Sequence, residues 1–359
     1  MAKFPGRIKT KTRNASYIGD NNSGIFTLTD AYVSLETGGG GATLVATGGT
    51  TSTYIYAGQA YKQHVFTSNG SFYVTGGGQV DVLVVGAGGG GGVLGGGGGG
   101  GGVIVATGDV SPGSYSVLVG TASTNRQAGW SQSGTIAEKG NPSTVFNITA
   151  YGGGGARSYN NGGAASQNAE VANFGGLGYN MRSRQPGEFF AGSVLPAAFS
   201  GTIYSGQRGG WGSSNCCPCG GGGGGGAGGP GVDNNSGNSP SNAPHGGIGV
   251  SPIINGVPMY NGTPYYFGGG GGADGYCNMG AGIPGKGGAG GAANTNATNG
   301  DANGINPGGN PSAFSGYGDG GNGGANTGGG GGAGSHGSGS TSQYGGKGGS
   351  GIVVIRYAI

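Results

Sequence analysis

Eight consecutive glycines, Gly95 to Gly102, constrain this chain more than any other feature. Shorter runs recur at 88–92, 152–155, 220–226, 268–272 and 328–332. Such stretches carry no side chains to bury, and each glycine inside a helix costs about 1 kcal/mol relative to alanine. Glycine supplies 102 of the 359 residues and charged residues only 8%, so long amphipathic helices and coiled coils are excluded. Collagen is excluded as well, because it needs glycine at every third position throughout. A chain of this composition ordinarily stays disordered. What matters, then, is which architecture could order polyglycine.

Apolar runs supply an anchor. Tyr61 to Phe66, a turn at Ser68-Asn69-Gly70, and Ser71 to Val74 read as strands about a turn. Gln79 to Val85 is a strand of the fully buried type, and Val103 to Ala106 is another. Val110 to Val119 carries Pro112-Gly113 between two strands, with the order a type II turn prefers. Thr144 to Tyr151 alternates as a further strand. The last segment, Ile352-Val353-Val354-Ile355, is expected to return and pair with 80–85. It would then clamp the glycine region at both ends and offset part of the entropy cost of ordering it.

Glycine falls at 282, 285, 288 and 291, a period of three. Three residues per turn is the repeat of polyproline II, which has no internal hydrogen bonds. Side by side, such strands can bond one another where no Cβ holds the backbones apart. The expected fold is mostly β with irregular glycine-rich structure: a small antiparallel β-sandwich clamping a polyproline-II bundle, with almost no α-helix. The expected domains are an N-terminal arm at 1–53, the sandwich at 54–151, the glycine-rich bundle at 152–349 and the closing strand at 350–359.

Patterns that carry chemistry are missing. G-x-G-x-x-G recurs by chance in so glycine-rich a chain and identifies no dinucleotide site. Gly280 to Gly287 approaches a phosphate loop but ends in glycine where Ser or Thr should hold magnesium. His64, His245 and His336 lie far apart, and neither H-E-x-x-H nor a nucleophile elbow occurs. Cys216, Cys217 and Cys219 have only Cys277 as a distant fourth partner, a poor zinc pattern. Free thiols, one disulfide or a metal all stay open for these cysteines. Asp233, Asp274, Asp301 and Asp319 are spaced too irregularly for calcium loops. The reading is no enzyme, no cofactor and no metal.

Lys3, Arg7, Lys9, Lys11 and Arg13 put +5 into the first thirteen residues; the total of +3 leaves −2 for the rest. Arg7 to Arg13 alternates strictly, as an extended arm does. A basic arm on a near-neutral body is expected to dock on a protein partner rather than on nucleic acid. No run is long and apolar enough for a membrane span, and the polar start after Met1 does not read as a secretory signal. Aromatic residues gather between the glycine runs: Phe189-Phe190, Trp211, Tyr260, Tyr265-Tyr266-Phe267 and Tyr317. Tyrosine offers a rigid contact surface at low entropy cost. These rings either cover glycine strands and fill a core or contact a ligand from loops at 177–208, 251–267 and 295–317.

The order of features resembles the glycine-rich tail-fibre and receptor-binding adhesin proteins of tailed bacteriophages. The residues that carry it are Val65 to Phe72, then Val80 to Val85 running into Gly86-Ala87-Gly88, then Val110 to Gly120, and last Gly345 to Tyr357. Ser23 to Leu28 is similar, more loosely, to a virion-anchoring leader. The resemblance implies a virion protein assembled in the host cytoplasm, attached to tail or capsid proteins by its basic arm. Its glycine bundle would present variable loops to a host receptor, an outer-membrane protein or polysaccharide. A homotrimer is one assembly consistent with a fibre. The rival reading is a purely structural virion part, such as a capsid decoration, head fibre or tail ornament. An ice-binding bundle is disfavoured by the bulky tyrosines.

Overall fold

A computed structural model describes residues 44–93, 95–123, 137–156, 193–204, 207–212, 221–233, 244–273, 304–310, 319–334 and 344–359. The described residues are mostly antiparallel β with no helix. In chain order the strands are β1 (Val45–Thr47), β2 (Thr50–Tyr56), β3 (Gln59–Phe66), β4 (Gly70–Gly76), β5 (Gly78–Val85), β6 (Val103–Val110) and β7 (Gly113–Val117). They continue as β8 (Ser143–Val145), β9 (Ile148–Ala150), β10 (Phe199–Tyr204), β11 (Ile253–Ile254), β12 (Val257–Pro258) and β13 (Ile352–Ala358).

Two sheets face each other. One has three strands in the order β1-β4-β7; the other has six in the order β10-β6-β5-β13-β3-β2. The C-terminal strand β13 lies between β3 and β5, with Ile352 opposite Val85 and Val353 opposite Phe66. The central strands are apolar without alternation because both their faces are buried. Val80, Val82, Val84, Ile104, Val353 and Ile355 meet Phe72, Val74 and Val117 of the smaller sheet. On the other face Leu83, Val85, Val103, Ile352 and Val354 meet Ala227, Met259 and Phe267.

Two local expectations are corrected. Pro112-Gly113 does not form a type II turn, since Gly113 lacks positive φ and opens β7. The corner instead passes the chain from the six-stranded sheet to the three-stranded one. Residues 144–151 are not one strand but the hairpin β8–β9, reversed at Phe146 and Asn147 with φ of 52° and 61°. Packing of the Phe146 ring against Phe72 and Phe199 offsets the cost of that backbone.

The chain runs directly from β5 into glycine, and directly out of glycine into β6 and β13. Gly86, Gly89 and Gly92 donate backbone hydrogen bonds to Gly102, Gly99 and Gly96. Ala87 and Gly90 donate instead to Asn141 and Glu138, and Gly88 and Gly91 to Gly349 and Gly346. Three consecutive residues thus address three different neighbours, and every third returns to the same one. A pleated strand reaches only two neighbours. The return limb repeats the rule: Gly97 and Gly100 bond Gly222 and Gly225, Gly98 and Gly101 bond Gly331 and Gly328, and Gly99 and Gly102 bond Gly154 and Tyr151. The limbs approach too closely for side chains. A Cβ on Gly98 would lie 2.2 Å from the Gly89 carbonyl oxygen, and one on Gly271 2.0 Å from that of Gly331.

Candidate functional site

The glycine lattice has a near end, fused to the sandwich, and a far end at the turn between Gly92 and Gly96. Its hydrogen bonds place many bracketing residues at the far end. Ala156 donates to Gly90, Ala137 to Ala156, Gly334 to Gly92 and Ala273 to Pro244. Gly97 donates to Gly222, next to Gly221, and Gly320 donates to Tyr344. The described ends that flank 213–220, 234–243, 311–318 and 335–343 therefore lie together on the side away from the sandwich.

Carboxylates tie these ends to one another. Arg208 grips Asp233 through two hydrogen bonds, Nη1 to Oδ1 and Nη2 to Oδ2 at 3.1 Å. That bond to Asp233 holds the guanidinium's proton more tightly than usual. Asp233 Oδ1 also accepts from the Trp211 backbone N–H at 3.0 Å, so the ring of Trp211 is held half-buried at the rim. Asp319 Oδ1 accepts from the Tyr344 N–H at 2.8 Å, and Asn322 Oδ1 from the Lys347 N–H at 2.9 Å. Each side chain supplies an acceptor where the lattice lacks a neighbouring carbonyl.

The segment 250–267 lies instead over the six-stranded sheet. Two Asn-Gly turns shape it, Asn255-Gly256 and Asn261-Gly262, all four residues with positive φ. Arg356 fixes it from below. Its Nε bonds Asp81 Oδ2 at 3.0 Å, and its Nη atoms bond the carbonyls of Pro258 at 2.7 Å and Ile254 at 3.3 Å. Tyr54 Oη accepts from the same group at 3.1 Å, and the Tyr61 ring lies 5.1 Å away. Gln63 and Asn261 exchange a further pair of bonds at 2.6 and 3.0 Å.

The structure separates the rings expected to bind a partner. Phe267 is 1% exposed and packs with Met259 and Ala227 in the core. Tyr260 and Tyr265 meet edge to face at 5.7 Å against the same core, and Tyr266 is half-buried beside them. Trp211 stands apart, at the far rim. Phe189, Phe190, Tyr317, the basic residues Lys3, Arg7, Lys9, Lys11 and Arg13, and the cysteines lie outside the described residues. So does the run from Gly282 to Gly291.

No group of three or more metal-ligating side chains occurs among the described residues. His64 is buried, donating from Nδ1 to the Gly48 carbonyl at 2.7 Å with Nε2 facing Tyr357 Oη at 3.3 Å. Burial lowers its pKa. No described helix is long and apolar enough to cross a membrane.

A family model described as glycine-rich domain matches residues 66–358. The chain belongs to the glycine-rich domain family. The match begins in β3 and ends in β13, so this glycine-rich domain includes both the sandwich's central strands and the lattice. A comparison with curated proteins found no match.

Proposed function

We propose that this glycine-rich domain is the body of a phage virion protein, a tail fibre or receptor-binding adhesin. In this reading the lattice is a bundle of polyproline-II strands. The return of hydrogen-bond partners at every third residue supports it, since that is the angular repeat of such a helix. The bundle is a rigid post, and its far end presents loops to the bacterial surface. The N-terminal arm, through its basic residues, attaches the post to other virion proteins.

The single observation that carries the reading is the gathering of segment-flanking residues at the far end, tied by Asp233 and Asp319. Variable loops can change sequence without disturbing a scaffold that holds only their ends. The test replaces 213–220, 234–243 and 335–343 with Gly-Ser segments of equal length. Purified wild-type protein should compete with virions for adsorption to host cells, and the replaced form should not. Equal competition by both would remove the recognition role. Antibody labelling of the capsid with adsorption intact would favour a purely structural virion part.

A further inference from the structure

A groove of about 360 Å³ lies on the sandwich, away from the far end of the lattice. It forms where β8 leaves β7, the outer strand of the three-stranded sheet among the described residues. Leu118 and Thr144 exchange backbone hydrogen bonds at 2.9 and 2.8 Å, after which β8 reverses at Phe146-Asn147. Backbone groups of a strand alternate sides. Ser116 and Ser114 therefore present their N–H and C=O on the side of β7 that Leu118 uses, but with no strand opposite among the described residues. Beneath this short edge lie Tyr115, Phe146 and Phe199.

The rings are fixed before any ligand arrives. Phe146 stacks on Phe199 at 5.6 Å and meets Tyr115 edge to face at 4.8 Å. The Tyr115 hydroxyl donates to the Ser111 carbonyl at 2.9 Å. Gly108 makes room for Phe199, because a Cβ there would lie 2.5 Å from the ring. Phe146 itself sits at φ 52°, a conformation a bulky residue rarely adopts. Strain of this kind concentrates at binding sites.

The lining decides the ligand's chemistry by elimination. It contains no Lys, Arg or His, which disfavours phosphates and carboxylates. Its one acid is Asp109, and β6 alternation puts that side chain on the face opposite to Val110, which packs in the core beside the rings. An ammonium therefore finds no counter-charge there. The open edge offers only two outward residues, about 7 Å of strand at 3.4 Å per residue, too little for a peptide ladder. What fits is a neutral ring with an apolar face for the aromatic floor and hydroxyls for the backbone edge and the Asn147 amide.

We propose that this groove binds a pyranose sugar. The site is independent of the loops at the far end and of the role assigned to them. The test is saturation-transfer NMR on the full chain with methyl α-glucoside, methyl α-mannoside, methyl α-galactoside and N-acetylglucosamine at 10 mM, strengths on the order used for weak sites. At least one sugar should receive saturation on its ring C–H protons. The signal should fall at least about fivefold in Phe146→Gly and in Asn147→Gly, whose positive φ glycine accepts without strain. Asn147→Gly keeps every core ring, so its loss reports binding rather than folding. No transfer to any of the four sugars, equal transfer in wild type and both variants, or transfer to choline in their place would overturn the proposal.

Discussion

At the scale of single residues, the molecule depends on a few buried polar groups, and Arg356 is the foremost. It is 1% exposed, yet every face of its guanidinium has a partner from a different part of the chain. Removing one member of a buried pair costs about 3–5 kcal/mol, because the other charge is left behind. Arg356→Met should lower stability by about that amount, read by chemical denaturation. Adding Asp81→Asn should restore part of the loss, since the stranded carboxylate goes with it. His64 makes a second prediction. Its folded-state pKa is lowered by burial, so the unfolded chain binds the proton more readily. Stability from this group is full above the ordinary histidine pKa of about 6.5 and is lost as pH falls below it. His245 is shifted the same way by burial and adds to the slope. The thermal midpoint should therefore drop between pH 7 and 5, less steeply in His64→Gln.

At the scale of elements, the legible part of the sequence was the part governed by side chains. The unbroken apolar runs of β5, β6 and β13 announce strands buried on both faces, and their pairing follows from that need. Phe146-Asn147 was not legible as a turn, because a phenylalanine is an unusual choice for positive φ and tertiary ring packing holds it there. Pro112-Gly113 misled for a related reason: the same dipeptide can turn a hairpin or step between sheets. The Asn-Gly pairs at 255–256 and 261–262 carry a hairpin-turn signal that the reading of 251–267 as a ligand loop passed over, and they define the segment over the six-stranded sheet. Arg356 carried a weaker signal, a lone charge inside an apolar strand. Asn261 is both a turn residue at φ 49° and the partner of Gln63. Asn261→Ala should cost about 2 kcal/mol, from the strained φ and the lost bond between Gln63 Nε2 and the Asn261 side chain. Asn261→Gly should cost less, since it keeps the turn; the difference measures the backbone strain, and what remains measures the lost side-chain bond to Gln63.

At the scale of the whole molecule, the sequence announced close-packed glycine but not its layout. A period in sequence names a helix repeat, whereas which limb lies beside which depends on backbone contacts that no side chain marks. Hence Gly86 to Gly102 lies among limbs drawn from 138–154, 222–225, 328–331 and 346–349, a gathering invisible in composition. Because β5, β6 and β13 pass without a break into those limbs, sandwich and lattice share their backbone and should unfold together. Calorimetry is expected to give one transition. Gly98→Ala tests this, since its Cβ would meet the Gly89 carbonyl oxygen at 2.2 Å with only backbone to yield. Gly58→Ala is the control: φ is 85° there but nothing lies within 4 Å, so the cost should stay near the roughly 1 kcal/mol of the backbone alone. In Gly98→Ala the single transition should move down as a whole by several times that of the control. A split into two transitions, with the sandwich melting where it did before, would show that lattice and sandwich are energetically separate bodies.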